Sequence, residues 1–241
     1  MKTLLTLSAL FLSTLSVEAQ VYENNTALAP LDGANIINGC GIGTDYAINS
    51  NSITIPLTGT ITDASKITFN ISLNATWGGD VAVDIIEPNG SVMTLIKRIG
   101  SLANNGCGVS SKFVATNIIS FNSANTNTIQ TTVTPIPAGN YLPTGNATIY
   151  PFHNLTNMAT FLNGKNINGI WRILVYDYGT GDATTLNSWS ISVANGATLK
   201  TNEAGGVFAS TVSIKENPVG DMLLLGINKD SFKTMNLQVY D

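Results

Sequence analysis

The chain has 241 residues, a formal net charge of -4 and only 11% charged residues. A surface so poor in Lys and Arg does not condense on nucleic acid or adhere to anionic lipid, which argues against both as partners. The length suits one sandwich-sized β domain with a small appendage.

The first segment reads as a secretory signal covering residues 1–19. Lys2 supplies the positive start, Leu4 to Leu15 the apolar run, and Val17-Glu18-Ala19 the small-residue cleavage site, so that the mature chain begins at Gln20. The apolar run falls short of the roughly 20 residues a bilayer requires, and no later segment reaches that length, so the chain reads as not membrane-spanning. Residues 20–35 form a lead-in. Export also bears on the two cysteines. Cys40 and Cys107 both lie in glycine-flanked, loop-like settings, and an oxidising compartment favours a disulfide between them. A zinc site is disfavoured, because two thiols and the single His153 lack close ligand spacing.

Strand signals then follow one another. From Lys66 to Asn74 the residues Ile67, Phe69, Ile71 and Leu73 alternate with Thr68, Asn70 and Ser72, the period of a half-buried strand. After Trp77-Gly78-Gly79 comes Val81 to Ile86, and after Glu87-Pro88-Asn89-Gly90 comes Val92 to Ile96. This spacing suits three consecutive antiparallel strands. Gly100 to Ser111 reads as a long loop around Cys107. Strand character resumes at Thr128 to Thr134 until Pro135-Ile136-Pro137 stops it. A helical turn is allowed only near Leu155 to Phe161. Ile170 to Asp177 and Ser188 to Ala194 are the last strong strands, with Trp171, Ile173 and Val175 able to meet Trp189, Ile191 and Val193. Many short strands with glycine-rich turns indicate an all-β fold, an antiparallel jelly-roll β-sandwich.

Three strings in order carry a family resemblance. The run from Thr76-Trp77-Gly78-Gly79-Asp80 to Glu87-Pro88-Asn89-Gly90 resembles the "HTW-GDL…L-SP-G" segment of the P domain, or P/Homo B domain, found beside subtilisin-like proprotein convertases. Tyr141-Leu142-Pro143 and Phe161-Leu162-Asn163-Gly164 continue the match. Asn168-Gly169-Ile170-Trp171 to Asp177, and Gly181-Asp182 through Leu186-Asn187-Ser188-Trp189, complete it. The resemblance spans residues 36–195 and implies a galactose-binding-like sandwich. Two positions depart from the pattern: Ala75 stands where the family has histidine, and Thr184 where it has a turn glycine.

The acidic residues Asp80, Asp84, Asp177 and Asp182 fall at or near expected strand ends. Some P domains hold calcium between such loops, and a hard cation needs six to eight oxygen ligands, so the resemblance nominates Asp80, Asp177 and Asp182 as calcium ligands. The alternative is that Asp80 and Asp177 bond neighbouring amides while Asp182 solvates a turn. No catalytic residue is nominated. A serine-protease triad would need His153, which has neither a Gly-x-Ser-x-Gly elbow nor a subtilisin signature beside it. Asp84 and Glu87 show no spacing that selects them as a glycosidase pair. The Asn-x-Ser/Thr triplets at Asn70, Asn74, Asn89, Asn146 and Asn154 follow from an Asn- and Thr-rich composition.

Residues 196–211 read as a linker. Beyond it, Glu216-Asn217-Pro218-Val219-Gly220-Asp221-Met222-Leu223-Leu224-Leu225 resembles the "PNPV-D-L-I" opening of the C-terminal sorting domain of the type IX secretion system of Gram-negative bacteria. Residues 212–241 thus read as a truncated sorting domain, the family continuing for further strands past Asp241. That resemblance implies export to the cell exterior or surface and the type IX secretion machinery as a partner. In convertases a P domain packs on and stabilises the adjacent protease. The expectation is therefore a non-catalytic accessory that binds a secreted protease, another extracellular protein or an extracellular polymer. The competing expectation is part of a secreted subtilisin-like endopeptidase. The short span from Gln20 to Asn35 leaves no room for a subtilisin domain before the P-like region.

Overall fold

The computed structural model describes residues 19–33, 46–101, 106–129, 133–145 and 157–199, and the backbone of two strands further on. The chain divides into two units, Met1–Leu199 and Lys200–Asp241. In the second unit, two strands pair antiparallel, Val212–Ile214 with Leu225–Ile227, Ser213 opposite Gly226. The motif residues Glu216 to Leu224 lie outside the described residues, as do Met1 to Glu18, Cys40 and His153.

The first unit is an all-β sandwich of two sheets. One has five strands in the order β1 (Gln20–Asn24), β10 (Thr185–Val193), β4 (Ile67–Asn74), β7 (Ile119–Phe121) and β8 (Gly139–Tyr141). The other has four, in the order β2 (Ala47–Ile55), β9 (Gly169–Asp177), β5 (Val81–Ile86) and β6 (Val92–Ile96). All neighbours run antiparallel except β7 and β8. A small accessory pair joins β3 (Thr60–Ile61) to β11 (Thr198–Leu199), and a short α-helix, α1 (Met158–Leu162), is capped by the Asn157 side chain.

The period-2 pattern decides which faces meet. Ile67, Phe69, Ile71 and Leu73 of β4 are fully buried, as are Ile173 and Val175 of β9 and Val81, Val83 and Ile85 of β5, and all belong to one core. Phe69 of the five-stranded sheet and Trp171 of the four-stranded sheet touch across the layers, their ring centroids 5.9 Å apart. Trp171 and Trp189 sit on facing sheets, each in this core. Enclosing an aromatic of that size contributes about 2–3 kcal/mol. The indole N–H of Trp171 donates to Ile167 O at 2.9 Å, whereas that of Trp189 has no hydrogen-bond partner.

Several expectations are corrected here. β5 and β6 form the anticipated hairpin, but β4 pairs with β10 and β7, not with β5. Trp77-Gly78-Gly79 therefore carries the chain from one sheet to the other. Gly79 is needed there because its Cα packs against the backbone carbonyl of Cys107, where any Cβ would collide. The expected strand over Thr128 to Thr134 is limited, among the described residues, to a bridge between Thr128 and Leu142. Asp84 lies in the middle of β5, not at its end, and accepts from the Thr94 hydroxyl at 2.6 Å. Gln20 to Asn24, read as a lead-in, is an edge strand of the five-stranded sheet, and β2 is a nine-residue strand that sequence reasoning did not anticipate.

Candidate functional site

Three crossovers between the sheets converge at one end of the sandwich: the segment after β1, the β4-to-β5 connection and the β9-to-β10 connection. Hydrogen bonds tie them together. Tyr178 N donates to Asp80 O at 3.0 Å, and Gly181 N to the Asp32 carboxylate at 2.8 Å. Thr76 donates through its hydroxyl to Asp182, and Leu31 and Thr184 exchange backbone bonds of 2.8 Å. Thr184, in the family's glycine position, thus lies in an extended bridge. Ala75, in the histidine position, is buried and exchanges backbone hydrogen bonds with Phe113, so no imidazole chemistry is available there.

The structure brings the nominated aspartates together as an electrostatically coupled group. Asp80 ends the tight turn Gly78–Asp80 and is buried, its carboxylate 3.9 Å from the guanidinium of Arg98. Burial, then the charge of Asp177, raise its carboxyl to about 7, with Asp182 adding to the rise and Arg98 opposing it. Asp177 closes β9 with no exposed surface, and its Oδ1 accepts from Gly179 N at 3.0 Å. Burial raises it to about 6, against the Thr184 hydroxyl and the Gly179 and Gly33 amides, with Asp32 adding to the rise. The Thr184 hydroxyl faces this carboxyl but falls short of hydrogen-bond geometry, leaving Asp177 Oδ2 and Thr184 Oγ1 both buried without a partner. Asp182 is half-buried at the rim.

Arg98 was not nominated from the sequence. It is fully buried, donates from Nε to Gly79 O at 3.0 Å and from Nη2 to Gly106 O at 2.7 Å, and lies 5.1 Å above the Tyr178 ring. An arginine that abandons water needs such partners, but directly after Lys97 at the end of the apolar β6 nothing in the sequence set Arg98 apart. Tyr178 in turn stacks on Tyr176 and meets the partly exposed Tyr46. Glu87 belongs elsewhere: it is buried at the β5–β6 turn. Burial would raise its carboxyl, but the Asn89 amide, Ser91 and Lys165 together hold it below the usual range.

Among the described residues, no three His, Cys, Asp or Glu side chains lie close enough together to hold a metal ion as placed. The aspartates instead form a buried pair, Asp80 and Asp177, with Asp182 and Asp32 acting on it from the rim. Cys107 is not a free thiol, and its carbonyl accepts from the Trp77 indole at 2.7 Å. Its anticipated partner Cys40 is outside the described residues. Among the described residues, no helix is long and apolar enough to cross a membrane.

No protein-family model matches the chain, and no curated protein matches it. Among solved structures, it is similar to a serine protease of Aeromonas sobria, at 13% identity and a TM-score of 0.31. The Aeromonas sobria serine protease–chaperone complex matches at 12% identity and a TM-score of 0.29. In each case 72% of this chain aligns with 27% of the other.

Proposed function

We propose that this chain is an exported, non-catalytic β-sandwich module of the P/Homo B type, a jelly roll of the galactose-binding-like kind, that binds and stabilises a secreted protease. The observation that supports this best is spatial. The motif string beginning at Thr76 lies 101 residues before Asp177, where the next string ends and close to where the last opens at Gly181, yet they meet at the three-crossover end. There Tyr178 bonds to Asp80 and Thr76 to Asp182. Residues that share a pattern and also share a corner are under a common physical constraint, as expected of one domain type.

The same proposal includes the disulfide between Cys40 and Cys107, the type IX route across a Gram-negative envelope, and calcium. Asp80, Asp177 and Asp182 would hold the ion, with backbone carbonyls completing the oxygen set. The buried, unpartnered Asp177 Oδ2 is the donor that speaks for a cation there. When bound, calcium would supply the positive charge that the buried pair otherwise draws from protons.

The test is capture of secreted proteins from the native organism on the purified chain, with a serine-reactive probe applied to both. Co-purification of a probe-labelled, subtilisin-like protease is the expected result. Labelling of a serine in this chain would replace the accessory role with that of a serine-type endopeptidase.

A further inference from the structure

At the open side of the five-stranded sheet, away from the acidic corner, the register aligns one polar residue from every strand into a single row. Glu23 of β1 lies opposite Ser190 of β10, Ser190 opposite Asn70 of β4, Asn70 opposite Ser120 of β7, and Ser120 opposite Asn140 of β8. Ser188 and Ser72 form part of the next row. The row is internally ordered. Ser120 donates to Asn70 Oδ1 at 2.7 Å, and Asn70 Nδ2 lies 3.1 Å from the hydroxyls of both Ser190 and Ser192.

Beside this row lies a cleft of about 210 Å³, whose walls include Glu23, Asn25, Ser72, Ile118, Ser188 and Trp189. It opens next to a register shift between Leu186 and Ser188 of β10. Such bulges re-aim side chains and recur beside binding sites.

We propose that this face binds a neutral polysaccharide, one sugar ring of which seats in the cleft while the chain continues along the polar row. The chemistry selects that ligand class. None of the lining residues is Lys or Arg, so nothing there takes up phosphate or sulfate, and the one ionised group, Glu23, disfavours an anionic polymer. The aromatic and arginine anchors that dominate protein–protein contacts are missing from the row itself. What the face offers is hydroxyls and side-chain amides that both donate and accept, together with a carboxylate acceptor, and these match the hydroxyls of an uncharged sugar. Ile118, 41% exposed, supplies an apolar wall for the C–H face of a ring. The cleft is smaller than the roughly 300–1,000 Å³ of drug-sized sites, which fits a single ring of a longer chain. This site is separate from the protease-binding role and stands or falls without it.

Affinity electrophoresis of the full chain tests it, in gels containing soluble starch, mixed-linkage β-glucan, arabinoxylan or galactomannan, with polygalacturonate as the anionic control. At least one neutral polymer should retard the protein. Glu23→Ala and Asn25→Lys, both at exposed positions, should weaken that retardation at least fivefold without moving the melting temperature. Ser50→Lys, on the other sheet, should leave it unchanged. No retardation by any neutral polymer, retardation that survives both cleft variants, or retardation by polygalacturonate alone would overturn the proposal.

Discussion

The carboxylate of Asp80 rests directly on the Cα of Gly179, so that a methyl group at residue 179 would occupy the carboxylate's own space. This contact joins the β4-to-β5 crossover to the β9-to-β10 crossover and holds Asp80 facing Arg98.

Gly179→Ala should therefore force Asp80 out of its place and leave Arg98 without its carboxylate. Overpacking of this kind costs about 1–3 kcal/mol. A drop in the urea midpoint with an unchanged slope is the expected reading; an unchanged midpoint would show that the corner yields without cost.

The buried pair makes stability pH-dependent in a particular direction. Asp80 and Asp177 have folded-state values of about 7 and about 6, both above the ordinary 3.8, so the folded chain holds these protons more tightly than the unfolded one. Their contribution is full below about pH 3.8 and is lost as pH rises through those folded values. Asp177→Asn removes one charge and gives Thr184 Oγ1 a donor. In calcium-free buffer the variant should match or exceed the wild type at pH 7.5, with the difference closing by pH 4.5. Equal destabilisation at both pH values would mean that the charge itself is required.

Calcium added to chelated protein at pH 7.5 should raise the melting temperature, and Asp80→Asn should abolish the rise. Absence of any shift at millimolar calcium removes the ion from the proposal.

The two core tryptophans should respond unequally. Trp171→Phe strands the Ile167 carbonyl that the indole served, whereas Trp189→Phe breaks no hydrogen bond within the protein. A net hydrogen bond is worth about 1 kcal/mol, so the first change should cost about that much more in denaturant titration. Equal losses would indicate that volume alone matters at both sites.

Removing the proposed disulfide by Cys107→Ser releases a long loop in the unfolded chain. The expected loss is about 2–4 kcal/mol, and Cys40→Ser added to it should cost nothing more. A further loss in the double variant would show that the two cysteines act separately.

The alternation of Ile67, Phe69, Ile71 and Leu73 was sufficient to place β4 and its buried face, because side-chain direction along a strand is a local property with period two. The same held for Trp171, Ile173 and Val175. The partner of β4 was not legible: Trp77-Gly78-Gly79 reads as a turn whether the chain returns within a sheet or crosses to another. The choice was settled by β10, more than a hundred residues later. β1 and β2 escaped notice for a related reason. As edge strands rich in Asn, Ser and Gln they bury few side chains and show weak periodicity. Asp80, Asp177 and Asp182 were identified as a group, but their coupling, the burial of Arg98 against Tyr178 and the true place of Asp84 within β5 depend on long-range packing.

The amino-acid order alone determined that this chain is built of strands, which of their faces are apolar and where the acidic turns fall, since each follows from neighbours a few residues away. Only the tertiary structure decided which sheet each strand joins, which carboxylates lose their water and which polar rows remain open. Pairing and burial are set by contacts between distant parts of the chain, and desolvation has no value until those contacts form.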